Sequence, residues 1–598
     1  MMWKLVVLVA ALECLLVSPS ILAAPTTGPA QASSDLFSES RLWTIHIKLS
    51  AQAWKRMQPT LRPRFVPRRT AQTQPTTAAS TGEIVRSPLG YEYASASGKV
   101  QFDQEPTVEM TIRFKGNLSY SVSASGLRRP IKIEFNRSDS ARRVHGLATL
   151  NLNNSSTDPS LLREPLAYAV FRDAGIPAPR TAFASVYLTV EGLYNRKYVG
   201  PYTIVEQVDR EFLERHFGDA SGMLLKPEML RGLPYLGRHW GMYEDRYNPK
   251  SDGDGTAGQT FIEFVRLIHF ADDATFRQRI GSFIAIDEFL RFIAIQAMLV
   301  NLDSFLTTGH NYYLYQNPRD GKFYWMPWDL DLSFGNFAIA GGPAQEMDLS
   351  IYRPQVPPNR LIERLLAIDE LDQRYQQHLR QLAEEVFTET RLRERLSAME
   401  MLRRQTQASS TTRPTTSPVD RGTQALRTFV KGRLESIRSQ LAGRRDAFMP
   451  AQSKGLSLAA TWADTRRASL TESAMTALRT RGFATPNKAI RQADLLSAMQ
   501  ARFAAVASHR DGACDQRILA EVLADVLPVP QNFVFDPGPG IDWARIVFRL
   551  ADANKDGCLT SEELAHAITQ AFGDADTNKD AALSEAELRK ALMRLSAR

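Results

Sequence analysis

The chain has 598 residues, of which 43% are hydrophobic and 23% are charged, and this balance is typical of a soluble globular protein with roughly two to four domains. The formal net charge is +8, but the arginines are scattered and form no Lys/Arg block with interleaved aromatic residues, which argues against a nucleic-acid partner. A basic surface is equally suited to an anionic substrate.

The N-terminus predicts export from the cell. Residues 1–24 contain one early lysine, an apolar stretch and small residues up to Ala24, which is the arrangement of a secretory signal peptide. The alternative is an uncleaved membrane anchor. No later segment has about 20 uninterrupted apolar residues, so we expect no stable membrane span once the signal is removed. The sequence therefore predicts a secreted, periplasmic or cell-surface protein.

Changes in composition divide the rest of the chain. We expect a disordered lead at 25–40, a main domain at 41–445 with a flexible Pro/Thr-rich insert at about 59–87, a linker at 446–458 and a helical tail at 459–598. The main domain begins with strand patterns and continues with helix patterns. The sequence therefore predicts an α+β fold with two lobes, followed by an all-α tail domain.

Within the main domain, alternating apolar and polar residues predict strands at LWTIHIKLS, VEMTIRFKG, PIKIEFN, FASVYLTV and VGPYTIVEQV. A helix is predicted between Asp158 as N-cap, with Pro159 at its first position, and Gly175 as its stop. Further helices are predicted within 258–300 and 360–445, and NYYLYQ with KFYWMPWDLD predicts a hairpin.

The segment WMPWDLDLSFG places two carboxylates, Asp329 and Asp331, among aromatic and aliphatic residues. Burying a carboxylate costs free energy unless a charge partner or a metal compensates the lost hydration. The pattern therefore indicates a cation site. The alternative is a pair of structural acids that cap a turn and pair with arginine.

The tail contains a twelve-residue pattern that predicts a calcium site. DANKDGCLTSEE has the ligand spacing of an EF-hand loop, with Gly557 at the sharp turn and Leu559 where a short strand pairs two such loops. The ligands expected in this first loop are Asp552, Asn554, Asp556, the Cys558 carbonyl and Glu563.

A second copy follows, with expected ligands Asp576, Asn578, Asp580, the Ala582 carbonyl and Glu587. Ala581 replaces the turn glycine, at a position that favours a positive φ and penalises alanine by about 1 kcal/mol, so we expect the second site to be weaker. The segment around Asp511 and Gly512 has a similar setting without the last carboxylate and predicts a degenerate hand. The alternative interpretation of both loops is a polar helix cap.

Several blocks in order, RFKGNLSY, RRPIKIEFN, LNLNNSSTDPSLLREPLAYAVF, GPYTIVEQVD, GMLLKPE, NYYLY, WMPWDLDLSFG and FVKGRLESIRSQL, resemble the CotH family, which is named for a spore-coat protein and related to secreted atypical kinases. The resemblance covers most of residues 40–445. It implies a two-lobed kinase-like fold that binds ATP with Mg or Mn and phosphorylates hydroxyl groups of exported proteins.

The resemblance also implies roles for individual residues. Asp329 is the first choice and Asp331 the second for the metal-binding acid, Asn311 would take a second metal, and Asp303 would orient the substrate hydroxyl. Nucleotide-binding roles fall on Lys132 as the phosphate-pairing lysine, Glu206 as its partner and Lys226 as the fallback lysine.

Each of these residues also has a purely structural interpretation. Asp303 is then a turn residue, Asn311 a hairpin-edge residue, Lys132 a solvated strand lysine and Glu206 a partner of one of the arginines. The rival function is a non-catalytic, calcium-stabilised surface, adhesion or envelope protein with the same fold. Calcium is further hypothesised to stabilise the tail or to adjust its docking on the main domain.

Overall fold

The computed structural model describes most of the main domain and most of the tail. The described residues are 36–61, 84–87, 89–137, 140–228, 230–355, 359–407, 417–444, 446–449, 458–480, 489–507, 513–528 and 537–597. The predicted signal peptide lies outside these residues, as does the larger part of the predicted lead, insert and linker.

The strand-rich part of the main domain is a closed barrel. Its strands are β1 (Leu42–Leu49), β5 (Ala96–Phe102), β6 (Val108–Phe114), β7 (Ile131–Glu134), β8 (Thr149–Asn153), β9 (Thr181–Val190) and β10 (Tyr194–Glu206). They are ordered β1-β5-β6-β7-β8-β10-β9, and β9 closes the barrel by pairing in parallel with β1. Alternate apolar residues such as Ile45, Ile133 and Leu150 fill the interior, as the period of two predicts.

The alternation also sets what points away from the barrel core. Arg113, Lys132 and Asn151 are direct neighbours across β6, β7 and β8, at positions that alternate with the buried Ile131 and Leu152. The predicted strand position of Lys132 is confirmed. These three strands therefore present a row of polar side chains on their outer face.

The predicted disordered lead extends too far towards the barrel, and the predicted flexible insert is too long at both ends. Leu36 and Phe37 pack into the barrel core, so ordered structure begins before residue 40. The insert is bounded by two short strands, β2 (Thr60–Leu61) and β3 (Ile84–Arg86), which pair with opposite edges of β4 (Tyr91–Ala94). Two short helices complete this side of the barrel, α1 (Ala51–Met57) and α2 (Leu118–Ser123).

The predicted helix after the barrel strands begins later than expected. Helix α3 (Arg163–Asp173) starts beyond Pro159, because Asp158 accepts hydrogen bonds from the backbone N–H groups of Ser160 and Arg163 and thus caps from outside the first turn. Gly175, with φ of 75°, ends the helix as predicted.

The second part of the main domain is helical around a small sheet. Its sheet is ordered β12 (Pro249–Asp252), β11 (Met223–Leu225), β13 (Tyr312–Gln316) and β14 (Phe323–Pro327). Its helices are α4 (Arg210–Phe217), α5 (Gly241–Tyr247), α6 (Ala257–Phe270), α7 (Asp273–Phe283), α8 (Ile286–Met298), α9 (Pro343–Met347), α10 (Arg360–Leu366), α11 (Asp369–Glu385), α12 (Glu389–Gln407) and α13 (Pro418–Leu441). The hairpin predicted from the aromatic strands is confirmed as β13 and β14.

A buried arginine fixes the end of the central helix of this unit. Arg433 on α13 is fully buried and donates hydrogen bonds to the carbonyl oxygens of Ala297, Met298 and Leu349. Two of these carbonyls belong to the last two residues of α8, where the regular helical hydrogen bonds end. The predicted linker is ordered at its start, where Phe448 exchanges backbone hydrogen bonds with Asp348 and Ser350.

The tail consists of helices joined by very short strands. Its elements are α14 (Leu458–Thr480), β15 (Ile490–Arg491), α15 (Gln492–Ala507), β16 (Ala513–Asp515), α16 (Gln516–Val526), α17 (Pro539–Ala551), β17 (Cys558–Thr560), α18 (Ser561–Ala575), β18 (Ala582–Leu583) and α19 (Glu585–Leu595). The strands of the two acidic loops, β17 and β18, pair with β16 and β15. The loops therefore do not pair with each other, and the expectation from Leu559 is wrong on this point.

Each strand pair has its own small apolar core. Leu559 lies with Cys514 and Phe503, whereas Leu583 lies with Ile490 and Phe572. The tail thus contains four helix–strand–helix units, in which the first pairs with the fourth and the second with the third. Only one member of each pair has the acidic pattern. Among the described residues, no helix combines the length and the apolar character needed to cross a membrane.

Candidate functional site

A cavity of about 560 Å³ lies between the barrel and the helix-rich unit. Among the charged and amide side chains that line it are Arg113, Lys115, Lys132, Asn151, Asn153, Glu164, Asp209, Lys226, His310, Asn311, Asp329 and Asp331. These residues come from both units, so the cavity exists only in the folded main domain.

The hairpin brings one wall of the cavity together. Its last pair joins Tyr312 to Pro327, and the Trp328 N–H then donates to the Asn311 carbonyl over 2.9 Å. Asn311 and Asp329 thus leave the open end of the hairpin side by side, with φ values of 59° and 53°. Positive φ is uncommon outside glycine and is found at sites where function fixes the backbone.

Asp303 contacts this wall through Asn311. The Asn311 amide donates to the Asp303 Oδ2 over 2.8 Å and to the Asp303 carbonyl over 2.9 Å. The Thr308 hydroxyl donates to the other carboxylate oxygen over 2.7 Å. The chain between Asp303 and Asn311 turns back through a Gly309 N–H to Ser304 carbonyl bond, which brings the two predicted residues into contact.

The two acids of WDLD are held differently. Asp329 is positioned by its backbone N–H, which donates to the Tyr168 hydroxyl on α3 over 3.0 Å. Asp331 accepts a hydrogen bond from the Thr157 hydroxyl through its carboxylate. The carboxylate of Asp331 thus has a protein partner, which makes Asp329 the freer of the two for a ligand.

Three of the lysines that line the same cavity have candidate roles. Lys132 lies on the outer row of the barrel, and Lys226 stands over the rings of Tyr313 and Trp328 at 5.4 and 5.3 Å. Lys115, directly after β6, donates to Asn151 Oδ1 over 3.0 Å. Lys132 and Lys226 were expected from the sequence, whereas Lys115 was not, although it belongs to the RFKG block.

Glu164 on α3 is the second residue that the sequence analysis missed. Its side chain is buried and accepts a hydrogen bond from Asn153 over 2.8 Å. It acts electrostatically on both Lys115 and Asp329. An acid in the first turn of a helix, followed by the uncharged residues 165–171, was the available signal.

Glu206 is not the partner of Lys132, and this prediction is corrected. Its carboxylate is bound by the guanidinium groups of Arg180 at 2.7 Å and Arg215 at 2.6 Å. Burial alone would raise the pKa of Glu206, but the hydrogen bonds from these arginines outweigh it and hold the pKa below its usual value. Glu206 therefore anchors the end of β10, as the structural alternative proposed.

Burial controls the charges in the cavity. It raises the pKa of Asp329, an effect that Lys115 partly opposes, and it raises the pKa values of Asp331 and Glu164 well above normal, with Asp329 adding to both. Burial also lowers the pKa of Lys115 to about 7 and that of Lys132 to about 8. The cavity thus holds acids and bases that dehydration keeps from full ionisation.

This donor set fits a metal–phosphate ligand. Carboxylate and amide oxygens are the ligands that Mg²⁺ takes, and ammonium groups bind phosphate oxygens. The Asn153 Oδ1 atom, at the edge of the cavity, is buried and has no hydrogen-bond partner. A ligand with both a divalent cation and phosphates would allow acids and lysines to ionise together.

Carboxylates of the first acidic loop accept hydrogen bonds from the backbone of the same loop. The Gly557 N–H donates to Asp552 Oδ2 over 3.1 Å, and the Cys558 N–H donates to Asp556 Oδ1 over 2.7 Å. The Asp552 Oδ1 atom is buried without a hydrogen-bond partner, and Gly557 has φ of 78°. Glu563 accepts hydrogen bonds from both the N–H and the hydroxyl of Thr560.

The second acidic loop repeats these contacts. Its Ala581 N–H donates to Asp576 Oδ2 over 2.9 Å, and Ala581 has φ of 60°, the conformation that was expected to be unfavourable for alanine. Glu587 lies in the first turn of α19, and its carboxylate accepts hydrogen bonds from the N–H and the hydroxyl of Ser584, the N-cap of that helix. Among the described residues, no group of three or more His, Cys, Asp or Glu side chains is arranged to hold a metal ion as it stands.

The fold and the cavity define a two-unit α+β protein with an interlobe cleft of buried acids and lysines. Sequence comparison then identifies the family, since residues 112–437 match the family described as CotH kinase protein, and the chain belongs to the CotH family. It is similar to the inner spore coat protein H of Bacillus subtilis (strain 168), with 26% identity over 266 residues, which cover 42% of this chain and 67% of that protein. The tail lies outside both the family match and the residues of the cavity.

Proposed function

We propose that this protein is an exported protein kinase that transfers the γ-phosphate of ATP to hydroxyl groups of exported or surface proteins, and that its tail binds calcium. The description of its family as a kinase supports this proposal. The observation that carries it is that Lys115, Asn311 and Asp329 line one cavity, while Asn311 holds the Asp303 carboxylate beside it through a hydrogen bond.

The roles of the residues follow from their chemistry. Asp329, helped by Asn311 and Asp331, would hold Mg or Mn, which neutralises charge on the phosphate oxygens when bound. Lys115, Lys132 and Lys226 would bind phosphate oxygens.

Asp303 has two hydrogen-bond donors that fix its carboxylate, so it is suited to accept a hydrogen bond from a substrate hydroxyl. Glu164 would keep Lys115 oriented and charged once phosphate is bound.

An exported location is part of the proposal. The predicted signal peptide supports it, and the name of the Bacillus subtilis relative describes a spore-coat protein.

Three features support calcium binding in the tail: the ligand spacing of both loops, the backbone hydrogen bonds that hold their carboxylates within the loop, and the unpaired buried oxygen of Asp552. The first loop is the stronger site, because its turn residue is glycine.

A transfer assay tests the catalytic part. The purified chain without its signal is incubated with γ-labelled ATP, Mg or Mn and a generic protein acceptor, beside Asp329→Asn and the control Asp320→Asn. Asp320 is exposed at the closed end of the same hairpin, so its change should not affect transfer. Label incorporated by the native chain and the control, and lost in Asp329→Asn, supports a kinase.

The opposite result favours the rival function. A native chain that neither incorporates label nor gains melting temperature with Mg–ATP, while calcium still raises it, would point to a non-catalytic surface protein. Circular dichroism of all variants establishes that a loss of activity is not a loss of fold.

A further inference from the structure

The tail is docked on the helix-rich unit through α16 and α17. Asp525 accepts hydrogen bonds from the Arg238 N–H over 2.9 Å and from its guanidinium over 2.7 Å, and Glu521 pairs with Arg266 on α6 at 2.8 Å. Beside these pairs, Ala520 is buried within the apolar core of the helix-rich unit. The contact therefore combines charge pairing with shared apolar burial.

Helix α17 contributes the closest backbone contact. The Tyr235 N–H donates to the Pro537 carbonyl over 2.9 Å, and a Cβ on Gly538 would lie only 2.4 Å from the Tyr235 carbonyl oxygen. Ile541 and Ala544 on α17 are buried in the core of the helix-rich unit. The N-terminal half of α17 is thus seated on the segment around residue 235.

The other end of α17 enters the first acidic loop. The helix ends at Ala551, and Asp552 is both its C-cap and the first expected calcium ligand. One rigid element therefore connects the loop to the docking surface. Calcium binding to sensor EF-hands changes the angle between the helices on either side of the loop, which here are α17 and α18.

The docking surface continues into the cavity. Lys226 and Glu228 line the cavity, and Tyr235 lies a few residues further along the sequence. Along the way, the Leu230 carbonyl packs so closely on Gly309 that a Cβ there would lie 1.5 Å from it. Gly309 precedes His310, which lines the cavity. The stretch from Lys226 to Tyr235 therefore contributes to the cavity directly, through Lys226 and Glu228, and indirectly, through the contact of Leu230 with Gly309.

We infer that residues 226–228 and 230–238, together named here the brace segment, transmit calcium binding in the first acidic loop to the nucleotide cavity. Calcium fixes the direction of α17, docked α17 fixes the brace segment, and the brace segment positions Lys226 and the Gly309 turn. The inference rests on the proposed function. Since coupling between two ligands is reciprocal, nucleotide raises the affinity for calcium by the same factor.

The test measures binding of Mg–ADP by calorimetry with the full chain lacking its signal, in saturating calcium and in a calcium-specific chelator at constant Mg. We expect binding about fivefold tighter or more with calcium, the lower end of typical allosteric coupling. Glu563→Gln should remove the difference. Arg589→Ala, an arginine that pairs within the tail with Glu472, is the control and should retain it.

Charge reversal tests the route. Glu521→Arg with Asp525→Arg should undock the tail and abolish the effect of calcium on ADP binding. Adding Arg238→Glu and Arg266→Glu restores opposite charges and should recover the effect, which a general loss of stability would not do.

Three results are decisive against the inference. If calcium raises the melting temperature and ADP binds equally well with and without it, the coupling is wrong and the proposed function stands. If the coupling survives charge reversal, the docking route is wrong. If the native chain binds no ADP under either condition, the proposed function fails together with the coupling.

Discussion

The cavity and the acidic loops differ in how the chain assembles them. The cavity joins Lys115, Glu164 and Asp329, which are far apart in sequence and meet through the barrel, α3 and the hairpin. All side chains expected to bind calcium in the first loop lie between Asp552 and Glu563. A local site can be predicted from spacing, whereas a site assembled over long range depends on the fold.

The two regions also treat their carboxylates in opposite ways. Burial raises the pKa values of Asp331 and Glu164 in the cavity. In the loops, hydrogen bonds from the Thr560 backbone and hydroxyl lower the pKa of Glu563, and those from Thr577 and Ser584 lower that of Glu587 to about 2. Hydrogen bonds thus favour the ionised form of Glu563 and Glu587, whereas burial disfavours the ionised form of Asp331 and Glu164.

The largest expected effect separates the lysines of the cavity. Lys115→Met should lower kcat/KM for phosphate transfer by about 10²-fold or more, because it removes a buried ammonium between Asp329 and Glu164. Lys132→Met, on the outer row of the barrel, should cost less. Steady-state kinetics with both variants decides, and a larger loss for Lys132→Met would restore the assignment made from sequence.

That comparison shows what the sequence could and could not provide. The hairpin and the α+β class followed from patterns, and the choice of Asp303 and Asn311 as candidates followed from a family resemblance. Lys115 and Glu206 did not, because which lysine faces the acids depends on strand register and barrel closure. Glu206 in particular has arginine partners from the residue just before β9 and from α4, which no local pattern specifies.

The next effect concerns the pH dependence of stability. Burial raises the pKa of Glu346 in the main domain to about 7, so the folded state keeps a proton that the unfolded state loses above about 4.5. The main domain should therefore lose stability between about pH 4.5 and 7, on the order of 2 kcal/mol from this group. Glu346→Gln should flatten that slope in urea unfolding curves.

The tail should show the opposite slope. The lowered pKa of Glu587 contributes stability that is present above about pH 4.5 and is lost as the pH falls toward 2. Hydrogen exchange from pH 3 to 8 resolves the two regions separately. Parallel pH slopes in both would contradict the contrast between buried and hydrogen-bonded carboxylates.

Within the tail, the last carboxylate of each loop should control its calcium affinity. Glu563→Gln should weaken calcium binding at the first loop by about tenfold or more, equivalent to about 1.4 kcal/mol, because a bidentate ligand loses its charge. Glu587→Gln should instead reduce calcium binding at the second loop, which is the weaker of the two binding steps. Calorimetric titration of both variants would show the reverse order if Ala581 were compatible with tight binding.

The smallest expected effect compares the turn residues of the two loops. Ala581 and Gly557 have φ values of 60° and 78°, but only glycine adopts this conformation without strain. Ala581→Gly should therefore stabilise the calcium-free tail by about 0.5 kcal/mol, since the relief of strain exceeds the added entropy of the unfolded chain. Gly557→Ala should destabilise it by about 1 kcal/mol. Thermal unfolding in chelator measures both changes in the free energy of unfolding. Because the backbone contacts of the two loops match, two changes of the same sign would mean that the turn conformation does not distinguish the loops.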